Sequence, residues 1–357
     1  MSNGISRRIE AFDGVGVITR YDRPTGTWIF ICIHDDTLGS TTGGTRMRQY
    51  PEPADGLTDA MRLARGMTHK WAALGLPFGG AKAVLATSRP LVGEERTGLL
   101  ERYGRLIESL GGIFATGEDL GTTPEDFAII TGQTSFVHGI HPETREKIDP
   151  GPFTARGVFH GMQAAVGEVF DGGLEGRTVM VQGAGHVGGR LVDLLHEAGA
   201  SVLVTDIDGD AAESAAARVG GATVPAEDAY ATDCDVYAPC AIGATLNAET
   251  IPLLRCRLVA GSANNQLAEP EDADRLHDRG IIYAPDYIIN AGGALAFALL
   301  IGGETESEVL FTRMTDIGET VAEVLREAAR SDESPVTAAG RRVERTLQEA
   351  RGASQDD

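Results

Sequence analysis

Two of the three lysines of the chain lie twelve positions apart, on either side of a glycine turn. Lys70 ends a segment with helical spacing, and Lys82 follows a glycine pair into a short apolar segment. The third lysine is Lys147, and the other 28 of the 31 basic residues are arginine. Lysine can give up its proton in a suitable environment, whereas arginine cannot. Because two ammonium groups held close together disfavour each other, we expect one lysine to hold a carboxylate while the other acts as a base. The alternative is two ordinary surface lysines.

Asp119 is a candidate partner for these amines. It follows a short strand-like segment at 112–116, a position where loops commonly carry chemistry. A carboxylate there could pass protons to and from a substrate amine. The alternative is a helix-capping residue.

A glycine-rich segment fits the G-x-G-x-x-G pattern of dinucleotide-binding loops. Its six residues are Gly183, Ala184, Gly185, His186, Val187 and Gly188. The apolar segment 179–181 precedes it, a helical pattern follows, and the next apolar segment ends at Asp206, eighteen positions after Gly188. The glycines permit a tight turn and close approach of the backbone to a pyrophosphate at the helix N-terminus.

Asp206 indicates which dinucleotide is bound. Its carboxylate can accept hydrogen bonds from both ribose hydroxyls, and its charge repels a 2′-phosphate. No arginine occurs at 207–210 to bind such a phosphate. We therefore expect NAD rather than NADP. A glycine-rich turn without a ligand is the alternative.

The elements that position these residues fall into two groups. The first part of the chain predicts strands at 14–21, 27–34, 81–85 and 112–116 and helices at 55–74 and 94–110. Beyond a proline-rich linker at 141–152, short strands at 178–182, 201–205, 235–238, 257–260 and 281–284 alternate with helices. Such alternation is typical of a parallel sheet covered by helices. A last helix is predicted to begin at Ser334 and Pro335.

These patterns predict an α/β protein of two domains. Residues 1–145 form an α/β substrate-binding, catalytic and oligomerisation domain, which the C-terminal helix at 330–357 joins. Residues 146–329 form a doubly wound Rossmann-type NAD-binding domain.

Composition restricts the possible partners. The formal charge of −21 argues against nucleic acid and anionic membranes, which require a basic surface. No apolar run follows Arg7 and Arg8, and the four cysteines show neither zinc spacing nor a C-x-x-C pair. We expect a cytoplasmic protein with free thiols, no metal and a small-molecule substrate.

The motifs together resemble those of the glutamate/leucine/phenylalanine/valine dehydrogenases, most closely the leucine and valine branch. The matching segments, in the order of the family, are 33–35, 43–47, 63–70, 79–82, 118–119, 181–188, 237–241, 263–266, 283–286 and 290–293. The resemblance implies a homo-oligomeric enzyme that oxidatively and reversibly deaminates an amino acid to its 2-oxo acid and ammonia.

The resemblance also implies a role for each matched residue. Lys70 binds the substrate carboxylate with Gly44, Asn264 and Asn265, while Lys82 activates water. Asp119 is the proton-transfer partner of Lys82, and Thr154 fixes the nicotinamide amide. The matched segments further place Met67 in the substrate site and Cys240, Ala241 and Asn290 in the cofactor site.

The substrate side chain is the least determined feature. Thr42 stands where glutamate enzymes place a lysine, which argues against glutamate. Gly117 and Ala294, at positions of the pocket wall, are small, as in phenylalanine enzymes. Phe297 lies one helical turn after Ala294 and would occupy part of the space that these small residues leave. We expect an apolar branched-chain substrate of the leucine or valine type. The alternatives are an aromatic amino acid, phenylalanine or tryptophan, and a catalytically silent NAD-binding regulator.

Overall fold

The computed structural model describes residues 5–139 and 148–353. They form two compact units. The first contains the described residues up to Ile148 and those from Val343 onward, and the second is Asp149–Arg342. The domain roles assigned from the sequence remain predictions.

The first unit contains a five-stranded mixed sheet. Its strands are β1 (Gly16–Asp22), β2 (Thr27–Asp35), β3 (Thr41–Gln49), β4 (Gly79–Thr87) and β5 (Phe114–Glu118). The order across the sheet is β1-β2-β4-β3-β5. β1, β2 and β4 pair antiparallel, while β3 pairs parallel with both β4 and β5.

Helices pack on both faces of this sheet. They are α1 (Ile5–Phe12), α2 (Pro53–Ala73), α3 (Gly93–Ser109) and α4 (Pro124–Thr131). Alternate residues of β2 and β4 contribute to two cores. Phe30 and Val84 pack with Leu57 and Met61 of α2, whereas Leu85 packs with buried residues of α3 and α4.

β3 is a strand that the sequence did not predict. It contains paired glycines and many polar residues, so it lacks apolar alternation. A Cβ on Gly43 would lie 1.7 Å from the Ala81 carbonyl oxygen. The glycine is therefore required by the close approach of β3 to β4, which a reading based on hydrophobicity cannot detect.

The second unit is built on a six-stranded parallel sheet. Its strands are β6 (Thr178–Gln182), β7 (Ser201–Thr205), β8 (Ala222–Thr223), β9 (Val236–Pro239), β10 (Leu258–Val259) and β11 (Ile282–Tyr283). The order β11-β10-β9-β6-β7-β8 corresponds to that of the Rossmann fold. The predicted parallel sheet is confirmed, with β10 and β11 shorter than expected and β8 unpredicted.

Helices connect these strands. They are α5 (Gly151–Val169), α6 (Gly188–Glu197), α7 (Gly209–Val219), α8 (Asp272–Asp278), α9 (Asp286–Ile289), α10 (Gly292–Ile301), α11 (Ser307–Arg313), α12 (Thr315–Ser331) and α13 (Pro335–Ala353). Of the predicted linker, 141–147 lie outside the described residues. Gly151 and Pro152 belong to α5 instead, because proline suits the first turn of a helix.

The last helix begins where the sequence predicts. The Ser334 hydroxyl accepts a hydrogen bond from the Thr337 backbone N–H at 3.3 Å, and Pro335 is the first helical residue. Near its end, Arg351 forms an ion pair with Asp35 at 2.7 Å within the first unit.

Residues 5–139 and 148–353 contain neither a candidate membrane span nor a candidate metal site. No helix there is long and apolar enough to cross a membrane. No group of three or more His, Cys, Asp or Glu side chains there could hold a metal ion.

Candidate active site

Lys82 lies within β4, a strand whose residues are all buried. Only 8% of its side chain is exposed. Residues 80 and 82 point to the same face because side chains alternate along a strand. A Cβ on Gly80 would lie 2.0 Å from the Thr68 hydroxyl of α2. Lys82 therefore extends from the face of the sheet that α2 covers.

Asp119 places its carboxylate against this ammonium group. The Asp119 Oδ2 atom lies 3.0 Å from Lys82 Nζ. The turn after β5 holds Asp119 in place, because its backbone N–H donates to the Thr122 hydroxyl at 3.1 Å and that hydroxyl donates to the Asp119 carbonyl at 2.8 Å. The structure thus brings together the two residues that the sequence proposed as catalytic.

Asp119 is strongly ionised. Burial by itself raises the pKa of this carboxyl group, but the neighbouring cations Lys82 and Arg46 outweigh that effect and lower the pKa to about 2. Asp119 is therefore a carboxylate at neutral pH in the substrate-free protein. It becomes a better proton acceptor only when a neighbouring cation moves away or loses its charge.

Arg46 of β3 also belongs to this site, although the sequence motifs did not indicate a role for it. Its Nε donates to Asp119 Oδ2 at 3.1 Å, and its Nη1 donates to Asp59 Oδ2 of α2 at 2.9 Å. The Tyr50 hydroxyl also donates to Asp59 Oδ2, at 2.6 Å. The glycine motif at 43–47 contains Arg46, and its position two residues after Gly44 puts both on one face of β3. This alternation is the sequence feature that could have placed Arg46 beside Gly44 in the site.

Gly44 lies beside the ion pair. A Cβ there would lie 3.2 Å from Lys82 Nζ and 2.8 Å from the Glu118 carbonyl oxygen. A side chain would therefore compete with the backbone of β5 and with the ammonium group. The binding of a substrate carboxylate by the backbone of Gly44 remains a prediction.

Lys70 lies in the last turn of α2, where it is half-buried, as is Met67 one turn earlier. Thr68 packs against Gly80, so the end of α2 meets the start of β4 two residues from each lysine. The neighbouring His69 is kept neutral, because burial lowers its pKa to about 4. The binding of a carboxylate by Lys70 remains a prediction.

Two further predicted substrate residues share the same face of the sheet. Thr42 pairs with Gly80 and Ala115 in register, and its hydroxyl donates to the Ala115 carbonyl at 3.2 Å. Gly117 pairs with Gly44, and a Cβ there would meet only the His138 carbonyl oxygen, at 3.7 Å. The space above Gly117 is therefore open within the first unit.

The glycine-rich loop of the second unit connects β6 to α6. Its first and third glycines are required by internal packing. Gly183 has a φ of +105°, and a Cβ on Gly188 would lie 1.9 Å from the Gly183 carbonyl oxygen. A Cβ on Gly185, in contrast, would meet nothing within 4 Å. The second glycine thus faces open space, as expected where a pyrophosphate approaches the backbone.

Asp206 lies at the end of β7, next to this loop. Its Oδ2 accepts a hydrogen bond from the Ala184 N–H at 2.7 Å, and its Oδ1 accepts one from the Asp208 N–H at 2.9 Å. Asp208 in turn caps α7. Two more acidic side chains, Asp208 and Asp210, follow Asp206, so the carboxyl end of β7 is negatively charged.

Three further predicted cofactor residues, His186, Val187 and Thr154, lie in the glycine-rich loop and in α5. The exposed His186 lies 2.7 Å from Asp149, and Val187 precedes the first residue of α6. The Thr154 hydroxyl donates to the Pro150 carbonyl at 2.9 Å. A Cβ on Gly293 would lie 2.9 Å from that hydroxyl.

Cys240 and Ala241 follow β9 and pack against the glycine-rich loop. A Cβ on Gly183 would lie 2.8 Å from the Ala241 nitrogen. The buried Asn290 amide donates to the Ala263 carbonyl at 3.2 Å and to Asn264 Oδ1 at 2.9 Å. The predicted cofactor residues thus lie after β6, β7 and β9 and around α10, at the carboxyl edge where such sheets bind dinucleotides.

Four predicted substrate residues also belong to the second unit. Asn264 is exposed, and Asn265 has a φ of +51°, in the left-handed region. Ala294 and Phe297 lie one turn apart on α10, and both are half-buried. Their contact with a substrate remains a prediction.

Comparison with known proteins identifies two family models along the chain. Residues 23–136 match the model described as Glu/Leu/Phe/Val dehydrogenase, dimerisation domain. Residues 204–343 match the model described as Glutamate/Leucine/Phenylalanine/Valine dehydrogenase.

Individual relatives extend the similarity over almost the whole chain. Leucine dehydrogenase from Bacillus cereus is 42% identical over 97% of this chain and 94% of the relative. Phenylalanine dehydrogenase from Lysinibacillus sphaericus is 37% identical over 92% and 87%. The crystal structure of L-tryptophan dehydrogenase from Nostoc punctiforme has a TM-score of 0.81 and 35% identity, and the match covers 97% of this chain and 99% of that one.

Proposed function

Because the chain belongs to the Glu/Leu/Phe/Val dehydrogenase family, we propose that it catalyses NAD-dependent, reversible oxidative deamination of an apolar L-amino acid. As a member of that family it is an oxidoreductase acting on a CH–NH₂ group. The main observation behind the proposal is the buried ion pair of Lys82 with Asp119, 3.0 Å apart, in which Lys82 lies on β4 and Asp119 follows β5, the two strands that flank β3.

Lys70 and Gly44 hold the substrate carboxylate in this proposal. The lysine ammonium group provides the charge, and Gly44, which lies beside Lys82 Nζ, contributes its backbone. The family resemblance adds Asn264 and Asn265 to the residues proposed to bind this carboxylate. The amino group and Cα of the substrate are thereby oriented for reaction.

The reaction then balances in two steps. NAD, when bound, would supply the acceptor for the hydride that leaves Cα, so that the substrate amine would become an imine. Lys82 takes a proton from the water that adds to the imine carbon, and Asp119 relays that proton to the nitrogen. Lys82 then takes the hydroxyl proton as the C–N bond breaks and ammonia leaves. The products are the 2-oxo acid, ammonia, reduced cofactor and the protons that return to solvent. Lys82 also stabilises negative charge that develops on the former water oxygen.

NAD is favoured over NADP by the residues at the carboxyl end of β7. Asp206 can accept hydrogen bonds from the ribose hydroxyls, while Asp206, Asp208 and Asp210 together repel a 2′-phosphate. Gly185 leaves the space that a pyrophosphate needs. Thr154, Cys240, Ala241 and Asn290 would hold the nicotinamide half.

A branched aliphatic side chain is the proposed substrate class. Thr42 offers no positive charge for a second carboxylate. The open space above Gly117 admits a large side chain, so phenylalanine and tryptophan are the competing substrates. We favour the leucine type because leucine dehydrogenases are among the relatives that match over almost the whole chain.

Initial rates of NADH formation with leucine, valine, phenylalanine, tryptophan and glutamate test the proposal. We expect leucine or valine to give the highest kcat/KM and glutamate none. A preference for phenylalanine or tryptophan would assign the aromatic alternative. NAD binding without turnover of any of these amino acids would support the silent regulator and reject the enzyme.

A homo-oligomer and a cytoplasmic location complete the proposal. The match of residues 23–136 to a dimerisation domain supports assembly of identical chains. The four cysteines are free thiols, as is usual in a reducing compartment. Light scattering of the purified protein would measure the number of subunits.

A further inference from the structure

Arg46 is a buried arginine that connects the catalytic carboxylate to a second carboxylate. Its side chain is 11% exposed, and it contacts Asp119 through Nε and Asp59 through Nη1. An arginine in such a position is costly to desolvate unless both carboxylates remain ionised. Its contact with Asp119 Oδ2 shows that it acts on the same group as Lys82.

We propose that Arg46 is a positioning residue for the deamination: it holds Asp119 by Oδ2 and, backed by Asp59, offsets the carboxylate charge so that Lys82 can release its proton at the working pH. This inference rests on the proposed function.

The geometry fixes the carboxylate. Lys82 Nζ and Arg46 Nε both contact Asp119 Oδ2, at 3.0 and 3.1 Å. Asp119 cannot rotate without breaking both contacts. When Lys82 turns towards water or substrate, Arg46 still holds Asp119 where it can exchange a proton with the nitrogen.

The balance of charges around Lys82 also supports this role of Arg46. The charged and titratable groups on the elements around Lys82 include Arg46 on β3, His34 on β2, Asp59, Arg62, Arg65, His69 and Lys70 on α2, and Glu118 and Asp119 at the end of β5. Arg62 is half exposed and lies 3.8 Å from Asp59, and the Tyr50 hydroxyl binds the same carboxylate. Within the buried group of Lys82, Asp119, Arg46 and Asp59, two positive charges match two negative ones, and the exposed Arg62 adds a positive charge beside Asp59 at the edge of the group. The Lys82 ammonium is therefore not held by an uncompensated carboxylate.

Two substitutions change this balance in opposite directions. Arg46→Gln leaves an excess negative charge, which holds the proton on Lys82 more tightly. Asp59→Asn leaves an excess positive charge while the amide oxygen can still accept from Arg46 and Tyr50. The pH of half-maximal kcat/KM on the acidic limb should therefore rise by about one unit in Arg46→Gln and fall by a smaller amount in Asp59→Asn, whose carboxylate contacts Arg46 rather than Lys82.

Two controls separate charge from position. Arg46→Lys keeps the charge but loses the fixed planar fork of guanidinium donors, so the acidic limb should stay near that of the wild type while kcat falls. Arg20→Gln removes an exposed arginine from β1 of the same sheet and should leave both kcat and the limb unchanged.

The experiment is the pH profile of kcat/KM and kcat for the wild type and these four variants, with the amino acid that the wild type uses best. Limb shifts of opposite sign in Arg46→Gln and Asp59→Asn support the inference. A purely structural role would lower activity in both variants without moving the limb, and that result would overturn it. If Arg46→Gln does not fold, an unmoved limb in Asp59→Asn overturns it equally. A wild type without turnover would instead reject the proposed function.

Discussion

Asp206→Asn should shift the cofactor preference of the protein from NAD towards NADP. In the structure the Asp206 carboxylate already accepts hydrogen bonds from Ala184 and Asp208, at 2.7 and 2.9 Å. Asparagine keeps one acceptor oxygen for the loop and removes the negative charge. The substitution therefore tests the charge without releasing the glycine-rich loop.

The magnitude follows from two contributions. Loss of one hydrogen bond to a charged acceptor costs about 1.5–3 kcal/mol, which weakens NAD about 10- to 150-fold. Two unit charges 4 Å apart in a water-like dielectric repel by about 1 kcal/mol, and a 2′-phosphate carries about two charges. Since Asp206 is half exposed, its removal should strengthen NADP about 10- to 30-fold. The ratio of the two dissociation constants should change by about 10²- to 4 × 10³-fold.

Titration calorimetry with NAD and NADP measures both dissociation constants directly. The matched control is Asp210→Asn, which removes a nearby exposed charge from the first turn of α7 and should change the ratio much less. An unchanged ratio in Asp206→Asn would show that Asp206 is not the ribose ligand. An equal weakening of both cofactors would show that the residue only supports the loop.

Two other substitutions test the ion pair and the loop. Asp119→Asn should lower the free energy of unfolding by about 2–3 kcal/mol at neutral pH, because the pKa of Asp119 is lowered from 3.8 to about 2. This stability is present above about pH 4 and is lost as the pH falls through about 2. The free energies of unfolding of the wild type and the variant, measured with urea, should therefore converge on acidification. A difference that does not vary with pH would contradict the assignment. Gly185→Val should weaken NAD at least about tenfold and leave the unfolding transition in place, because its side chain enters open space. Gly188→Ala should instead destabilise the fold, since its Cβ would lie 1.9 Å from a carbonyl oxygen; unfolding curves for both variants separate the two effects.

Elements with strong apolar patterns could be predicted from the sequence. The parallel strands β6, β7 and β9 alternate with helices, and local hydrophobicity determines them because both faces of such strands are buried. The helix α2 was likewise evident from its apolar face. β3 could not be found in this way, because its glycines are required by contacts with β4 that are distant in sequence.

In the candidate site, the sequence indicated Lys82 and Asp119 but not the arginine that contacts Asp119. Lys82 and Asp119 were singled out by residue scarcity and by their position at a strand, and the structure places them in contact. Alternation along β3 places Arg46 on the same face as Gly44, but the role of Arg46 depends on two carboxylates that lie 13 and 73 positions away in the chain, which the local pattern does not reveal. The strongly lowered pKa of Asp119 likewise arises from the two cations that the fold brings to one oxygen.

The most direct test of the Lys82–Asp119 site is the turnover of Lys82→Ala with the best amino-acid substrate and saturating NAD. Loss of a general base and of charge stabilisation should lower kcat at least about 10³-fold. The dissociation constant of NAD should stay within about twofold, because the proposed cofactor residues belong to the second unit. Turnover at the wild-type rate would contradict the account, since no other group has been assigned to activate water.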